Sequence, residues 1–225
     1  MIDIIRTFRT KRWTNIFVIY LRYLIGGAFV FSAVPKISGE RFMTLSGEDA
    51  PIDTFPHFFE TLYQSGFYWE FLGWGQLLAA LLLMTQLFAT LGTLAFFPII
   101  LNIFMITISY EFGGTPVVTG VMLLANIFLL TWDAEKLLAL FLPEQNHEQV
   151  LANRYNEFAN HKFWAWLGLL LFATTFIYVV IFGRNPMNWF LICMIEGLVG
   201  FIFMIIKYPK NKNTTFQHNI KKIGE

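Results

Sequence analysis

Six long apolar stretches limit the folds open to this chain more than any other feature of its sequence. They cover residues 15–34, 69–90, 92–110, 116–132, 163–183 and 187–206. A helix of about 17 to 25 mostly apolar residues is long enough to cross the hydrocarbon core of a bilayer. The chain is also 56% hydrophobic and only 14% charged, which is too apolar for a soluble domain of 225 residues. We therefore predict an all-α fold, a polytopic membrane helix bundle with six transmembrane helices.

The basic residues are distributed unevenly between the connections, and this predicts the orientation. With six spans, one side of the membrane receives the four Lys and Arg before the first span, three between the fourth and fifth, and five after the sixth. The opposite side receives Lys36, Arg41 and Arg184. Cytoplasmic connections carry the excess of Lys and Arg. We expect a multi-pass protein of a bacterial cytoplasmic (inner) membrane, with both termini in the cytoplasm.

The connections suggest a division of the chain into parts. The outer loop, residues 38–69, is long and acidic, and Phe55, Phe58, Phe59, Leu62 and Tyr63 recur there at helical spacing. This segment predicts a short helix, which either lies on the membrane surface or forms a lid over the helix ends. Residues 1–142 would then form a four-helix core with this loop, residues 143–162 a cytoplasmic surface helix or linker, and residues 163–225 two appended helices with a basic tail.

A few polar side chains fall at membrane depth, where an ionisable group costs about 2.5 to 3.5 kcal/mol and needs a partner. Arg22, Asn102, Asn126 and Glu196 lie in the first, third, fourth and sixth spans, and Gln76 lies in the second. Because a long Arg side chain can reach several ångströms along a bundle, these groups could form one intramembrane polar cluster, in which the opposite charges of Arg22 and Glu196 would cancel. Such a cluster is either a proton, ion or headgroup site, or an internal ion pair that fixes helix packing.

A second set of polar residues marks the outer boundary. Lys36 ends the first span, Glu70 begins the second, and Tyr110 and Glu111 end the third, so these residues face the same side. A Lys bracketed by two Glu either holds a polar ligand or a partner's charge, or reaches into the interface as charges at helix ends commonly do.

The sequence lacks the residues that metal, haem or thiolate sites require. Cys193 is the single cysteine, and His57, His147, His161 and His218 all fall in loops or the tail. Neither thiolate nor paired intramembrane histidine ligation is available, no cluster has metal-ligand spacing, and we predict no metal site. The sequence contains no complete catalytic motif, so the catalytic residues are unknown.

The segment from Arg22 to Lys36, RYLIGGAFVFSAVPK, resembles the first helix of the DoxX family. GWGQLLAALLL from Gly73 resembles the family's second helix, and residues 98–104 and 126–132 extend the similarity, which covers about residues 15–142. The sequence departs from the family pattern at Ala33, where Gly is usual, and at Gln76, where many relatives have Glu. The resemblance implies a four-helix membrane core, linked in some members to thiosulfate or quinone oxidation and in others to redox partners or assembly.

These observations leave three functions open. The first is an accessory or scaffold subunit that anchors or assembles a complex with another membrane or periplasmic protein. The second is a subunit of a membrane oxidoreductase, with a quinone held by groups such as Arg22, Gln76 and Asn102. The third is a small-solute or proton transporter that uses Arg22 and Glu196. We predict no cofactor except the quinone of the second alternative, a lipid bilayer environment, and no nucleic-acid partner.

Overall fold

The computed structural model describes residues 7–43, 46–139 and 158–208, and within these ranges it contains helices and no strand. The helices, numbered here in chain order, are α1 (Arg12–Ile37), α2 (Phe55–Gln64), α3 (Phe67–Met84), α4 (Ala89–Ser109), α5 (Thr115–Trp132), α6 (Ala134–Ala139), α7 (Lys162–Phe182) and α8 (Pro186–Lys207). Six of them, α1, α3, α4, α5, α7 and α8, are long and apolar enough to cross a membrane. The predicted all-α polytopic membrane bundle is confirmed.

Local sequence signals explain where several helices begin and end. Gly114 adopts a left-handed conformation with φ of 74° and Pro116 lies in the first turn of α5, so the chain reverses sharply after α4. His161 caps α7, because its Nδ1 accepts a hydrogen bond from the backbone N–H of Phe163 at 3.1 Å. Gly183, with φ of 75°, follows the last residue of α7. These turn and cap residues therefore set the boundaries of the apolar helices beside them.

The chain divides into two compact units, residues 1–185 and residues 186–225. In the first unit α1 packs on α3 and α7, α3 also packs on α4 and α7, and α4 packs on α5. The predicted domains put the fifth span with the sixth, whereas α7, which contains the fifth span, belongs to the same compact unit as the first four spans. Close packing explains the difference, since a Cβ on Gly168 would lie 1.9 Å from the backbone oxygen of Met84 in α3. Most of the predicted surface helix at 143–162 lies outside the described residues.

The five spans of the first unit define two ends. The N-terminal end contains the start of α1, the α3–α4 turn and the end of α5, and the lid end contains the opposite ends of these helices. At the lid end, residues 38–43 and 46–66 form the lid, which includes α2. The predicted helix around Phe58 is confirmed. Phe58 stacks on Tyr110 at 4.8 Å and Phe55 contacts Phe112 at 4.3 Å between ring centroids, so α2 covers the end of α4.

Candidate functional site

Arg22 is bound into a network of polar side chains at the N-terminal end. Its Nη2 lies 2.6 Å from Oδ2 of Asp133, and its Nη1 donates to Oε1 of Gln86 at 2.9 Å. The other carboxylate oxygen of Asp133 lies 3.1 Å from Nζ of Lys136. Arg22 and Asp133 are buried, with 7% and 2% of their surfaces exposed. The buried cation is therefore neutralised by a buried carboxylate.

The pKa of Asp133 shows which charges dominate in this network. Burial alone would raise the pKa of this carboxyl, but attraction by Arg22 and Lys136, with hydrogen bonds from Lys136 and Thr90, outweighs it and lowers the pKa below its ordinary value. Asp133 lies just beyond α5 and remains ionised. The network thus holds a stable ion pair rather than a site that exchanges protons near neutral pH.

The direction of helical side chains explains why Arg22 reaches this end of the bundle. A side chain on an α-helix tilts toward the helix N-terminus. Arg22 lies about 15 Å from the start of α1 at 1.5 Å per residue, so its long side chain points to the end where α5 stops. Asp133 follows the last residue of α5, and Gln86 lies in the turn after α3.

A second ion pair joins the N-terminal segment to the same corner. Nη1 of Arg9 lies 2.5 Å from Oε2 of Glu135, and its Nη2 donates to the backbone oxygen of Trp132. The guanidinium also lies over the Trp132 ring, 5.7 Å from its centroid. The segment before α1 is therefore held against the junction of α5 and α6.

The other residues of the predicted intramembrane cluster lie in different surroundings. Asn126 is fully buried and donates from Nδ2 to the backbone oxygen of Thr93 at 3.3 Å, which joins α5 to α4. Asn102 is exposed on α4. Gln76 is buried on α3, with its Oε1 3.5 Å from Oγ of Ser32, and Glu196 belongs to α8 in the second unit. Within the first unit, the structure does not bring the predicted residues together around Arg22.

The lid end contains a buried cation in very different surroundings. Only 6% of Lys36 is exposed, and its Nζ donates to the backbone oxygen of Ser32 at 2.6 Å. The ammonium also lies over the rings of Phe42 and Trp69, at 5.1 and 5.3 Å from their centroids. Within the described residues, no carboxylate forms an ion pair with Lys36. This buried cation therefore has aromatic neighbours and one carbonyl, without a counter-ion among those residues.

The acidic residues predicted to bracket Lys36 do not contact it. Glu70 and Glu111 are both exposed, and Tyr110 stacks on Phe58 of the lid. Lys36 instead turns back by one helical turn toward Ser32, as expected from the tilt of helical side chains toward the N-terminus. Its ammonium thus points into the bundle, away from the two carboxylates at the interface.

Hydrogen bonds and an ion pair hold the lid in one conformation. Nε of Arg41 donates to both carboxylate oxygens of Glu60, at 3.0 and 2.9 Å, and the backbone N–H of Gly47 donates to Oε2 at 3.1 Å. The hydrogen bond from Arg41 is the main reason that the pKa of Glu60 lies below its ordinary value, although burial opposes it. A Cβ on Gly47 would lie 2.1 Å from the backbone oxygen of Pro56, so the fold requires glycine there.

Two further contacts attach the lid to the spanning helices. Nη1 of Arg184, just after α7, donates to the backbone oxygen of Phe42 at 2.6 Å. Nε1 of the buried Trp69 in α3 donates to the backbone oxygen of Glu40 at 2.9 Å. These bonds fix the two lid residues that flank Arg41, and with them the Phe42 ring above Lys36.

Two residues of these sites were not predicted from the sequence, namely Asp133 as the partner of Arg22 and Glu60 as the residue that fixes the lid. For Asp133 a signal existed, namely a carboxylate that directly follows a span ending on the side toward which Arg22 points. For Glu60 no spacing signal existed, because the fold of the loop alone brings it to Arg41. Among the described residues, no group of three or more His, Cys, Asp or Glu side chains is placed to hold a metal ion.

The chain is similar to a known protein over part of its length. No family model matches the chain, and no solved structure matches it. A Bacillus subtilis (strain 168) protein, described as uncharacterized protein YwoB, is 38% identical over 74 residues, which is 33% of this chain and 47% of that protein. The match therefore spans about half the length of this curated relative. The resemblance to the DoxX family stays a prediction.

Proposed function

We propose that this integral membrane protein is an accessory subunit that anchors a partner protein at the lid end. The observation that carries the proposal is the fixed conformation of the lid, in which Glu60 binds both Arg41 and the backbone of Gly47. Connecting segments that a rigid scaffold positions carry binding residues disproportionately often. A long loop that is folded and attached to the helix ends by Arg184 and Trp69 favours recognition at this surface.

The outer edge of the lid indicates the chemistry of the partner. Asp49 and Asp53 are exposed there, together with Glu48, and the Ile52 side chain between them is 76% exposed. Complementary charges direct association and suppress wrong partners, while an apolar residue at the centre of a contact contributes to its affinity. The partner would therefore present a basic surface around a small apolar depression.

The N-terminal end supports an anchoring role. Arg22 is neutralised by Asp133 and held by Gln86, so the cation nearest the middle of α1 serves the packing of α1 with α3 and α5. Such a pair suits a rigid anchor better than a transport pathway, in which a charge must change its partners. We extend the proposal to the cytoplasmic membrane, with the N-terminal end on the cytoplasmic side and the lid on the opposite side.

The two alternative functions remain predictions, and no contact among the residues that the structure describes favours either of them. The quinone alternative requires Arg22, Gln76 and Asn102 to share a pocket, but Arg22 binds at the N-terminal end, Gln76 approaches Ser32, and Asn102 is exposed. The transporter alternative requires Arg22 and Glu196 to act together, and Arg22 already pairs with Asp133.

Photo-crosslinking in native membranes tests the proposed docking surface. A photoreactive residue at Ile52 should give a discrete crosslinked product whose partner carries a basic surface, and its yield should fall as salt is raised. Asp49→Asn with Asp53→Asn should remove most of the product, because both carboxylates face outward and neither forms an ion pair with Arg41.

A matched control removes the same charge from the same end of the bundle. Glu70→Gln with Glu111→Gln neutralises two exposed carboxylates outside the lid and should leave the crosslinking yield unchanged. The docking proposal would be wrong if Ile52 crosslinked only to lipid, or if both pairs of substitutions reduced the yield equally.

A further inference from the structure

Lys36 has hydrogen-bonding capacity that its surroundings do not use. An ammonium group has three N–H donors, and one of them is used by the Ser32 carbonyl. Among the described residues, the Ser32 carbonyl is the acceptor that bonds to this ammonium, and the ring centroids of Phe42 and Trp69 lie 5.1 and 5.3 Å from it. A buried charge is costly unless it is paired and hydrogen-bonded, so the site is incomplete without a further acceptor.

A second cation lies at the same place. Arg184 donates from Nη1 to the backbone oxygen of Phe42, the residue whose ring covers the Lys36 ammonium. Arg184 forms no ion pair with a described carboxylate. Glu60 of the lid is already bound to Arg41 by two hydrogen bonds. Arg184 therefore adds a second positive charge near Lys36, bonded to the residue whose ring covers the ammonium.

We propose that Lys36 forms a binding site for a phosphate group, supplied either by the headgroup of an anionic lipid or by a free phosphate ion. The phosphate oxygens would accept hydrogen bonds from the ammonium and receive further attraction from Arg184. The site lies where α1 meets the lid, at the depth of the headgroups if α1 spans the bilayer.

Residues of α3 hold the Lys36 side chain in a position suited to binding a phosphate group. Gly73 of α3 faces Lys36 so closely that a Cβ there would lie 2.9 Å from Cβ of Lys36. Trp69 is 1% exposed and fixed by its bond to Glu40, so the lysine stem cannot swing toward α3. The ammonium is thus held in place before any anion binds, which reduces the entropy lost on binding. This inference is independent of the proposed docking of a partner on the lid edge.

Chemical labelling of lysines in the wild-type protein tests the site directly. Purified protein in neutral detergent would be acetylated with and without inorganic phosphate, and with micelles containing phosphatidylglycerol or phosphatidylcholine, at constant ionic strength. At a ligand concentration about ten times its dissociation constant, Lys36 should be acetylated about tenfold more slowly. Lys162, which is exposed at the start of α7, provides the internal control and should react at the same rate throughout.

The arms of this experiment distinguish the two sources of phosphate. Protection by phosphatidylglycerol alone identifies a lipid headgroup, and protection by inorganic phosphate identifies a free anion. Either result supports the site. Equal rates at Lys36 under all conditions would overturn it, because an aromatic cage that satisfies the ammonium by itself needs no anion.

Thermal unfolding gives a second, independent measurement. The protecting ligand should raise the unfolding midpoint by about 5 °C when present at about a hundred times its dissociation constant. Lys36→Met should abolish this shift, whereas Lys162→Met should retain it. A full shift in the Lys36→Met variant would assign the binding to another site and overturn the proposal.

Discussion

Each end of the first unit contains a buried basic side chain, but the partners of the two side chains differ. Arg22 and Lys36 are both on α1, about 21 Å apart along the helix axis, and they are almost equally buried. Arg22 meets a carboxylate and an amide, whereas Lys36 meets one carbonyl and two aromatic rings. Burial alone therefore does not determine the role of an intramembrane charge. The side chains and backbone groups that contact the charge determine its role.

The largest expected effect comes from removing the carboxylate at the N-terminal end. Asp133→Asn leaves Arg22 and Lys136 without their shared anion, and an uncompensated buried charge costs about 3 to 5 kcal/mol. Denaturant titration in detergent should show a loss of this size in the free energy of unfolding. The double variant Arg22→Met with Asp133→Leu should recover most of it, because both charges are then absent. A loss below about 1 kcal/mol for Asp133→Asn would mean that the pair is not structural.

The second prediction uses pH to separate the two ends. The pKa of Asp133 is lower in the folded protein than its ordinary value of 3.8, so the stability that this carboxylate contributes is present above that value and is lost as pH falls through the folded pKa. The unfolding midpoint of the wild type should therefore decrease below about pH 4. Asp133→Asn should decrease less steeply over the same range, while Lys36→Met should follow the wild type. Parallel curves for Asp133→Asn and the wild type would contradict this assignment.

The smallest effect is local and concerns the lid. Glu60→Gln replaces the charged acceptor of Arg41 and Gly47, so the amide of Gly47 should exchange with deuterium about tenfold faster while the global unfolding midpoint changes little. Glu48→Gln is the matched control, because Glu48 is exposed and its contact with Arg41 is longer, at 3.3 Å. Equal exchange rates at Gly47 in wild type and Glu60→Gln would show that the bonds of Glu60 to Arg41 and Gly47 do not fix the lid.

The sequence predicted the parts of this fold that depend on length and periodicity. The six spans and the short helix around Phe58 follow from apolar runs and helical spacing, which act locally. Pairings were harder to predict, because they depend on which helices are neighbours and on where each side chain points. Arg22 pairs with Asp133 beyond the end of α5, and Lys36 turns toward Ser32 instead of Glu70. The place of α7 beside α3 depends on Gly168 meeting the Met84 backbone, which no periodicity reveals.

The contrast between the two cations can be measured by one pair of matched substitutions. Arg22→Met and Lys36→Met each replace a long basic side chain by an apolar one of similar length, and their free energies of unfolding would be measured in neutral detergent without phosphate or anionic lipid. Arg22→Met should lose about 1 to 3 kcal/mol, because the buried Asp133 loses one of its two cationic partners and keeps only Lys136. Lys36→Met should be as stable as the wild type or more stable, because it removes a buried charge that lacks a counter-ion. Equal losses in the two variants would contradict the account.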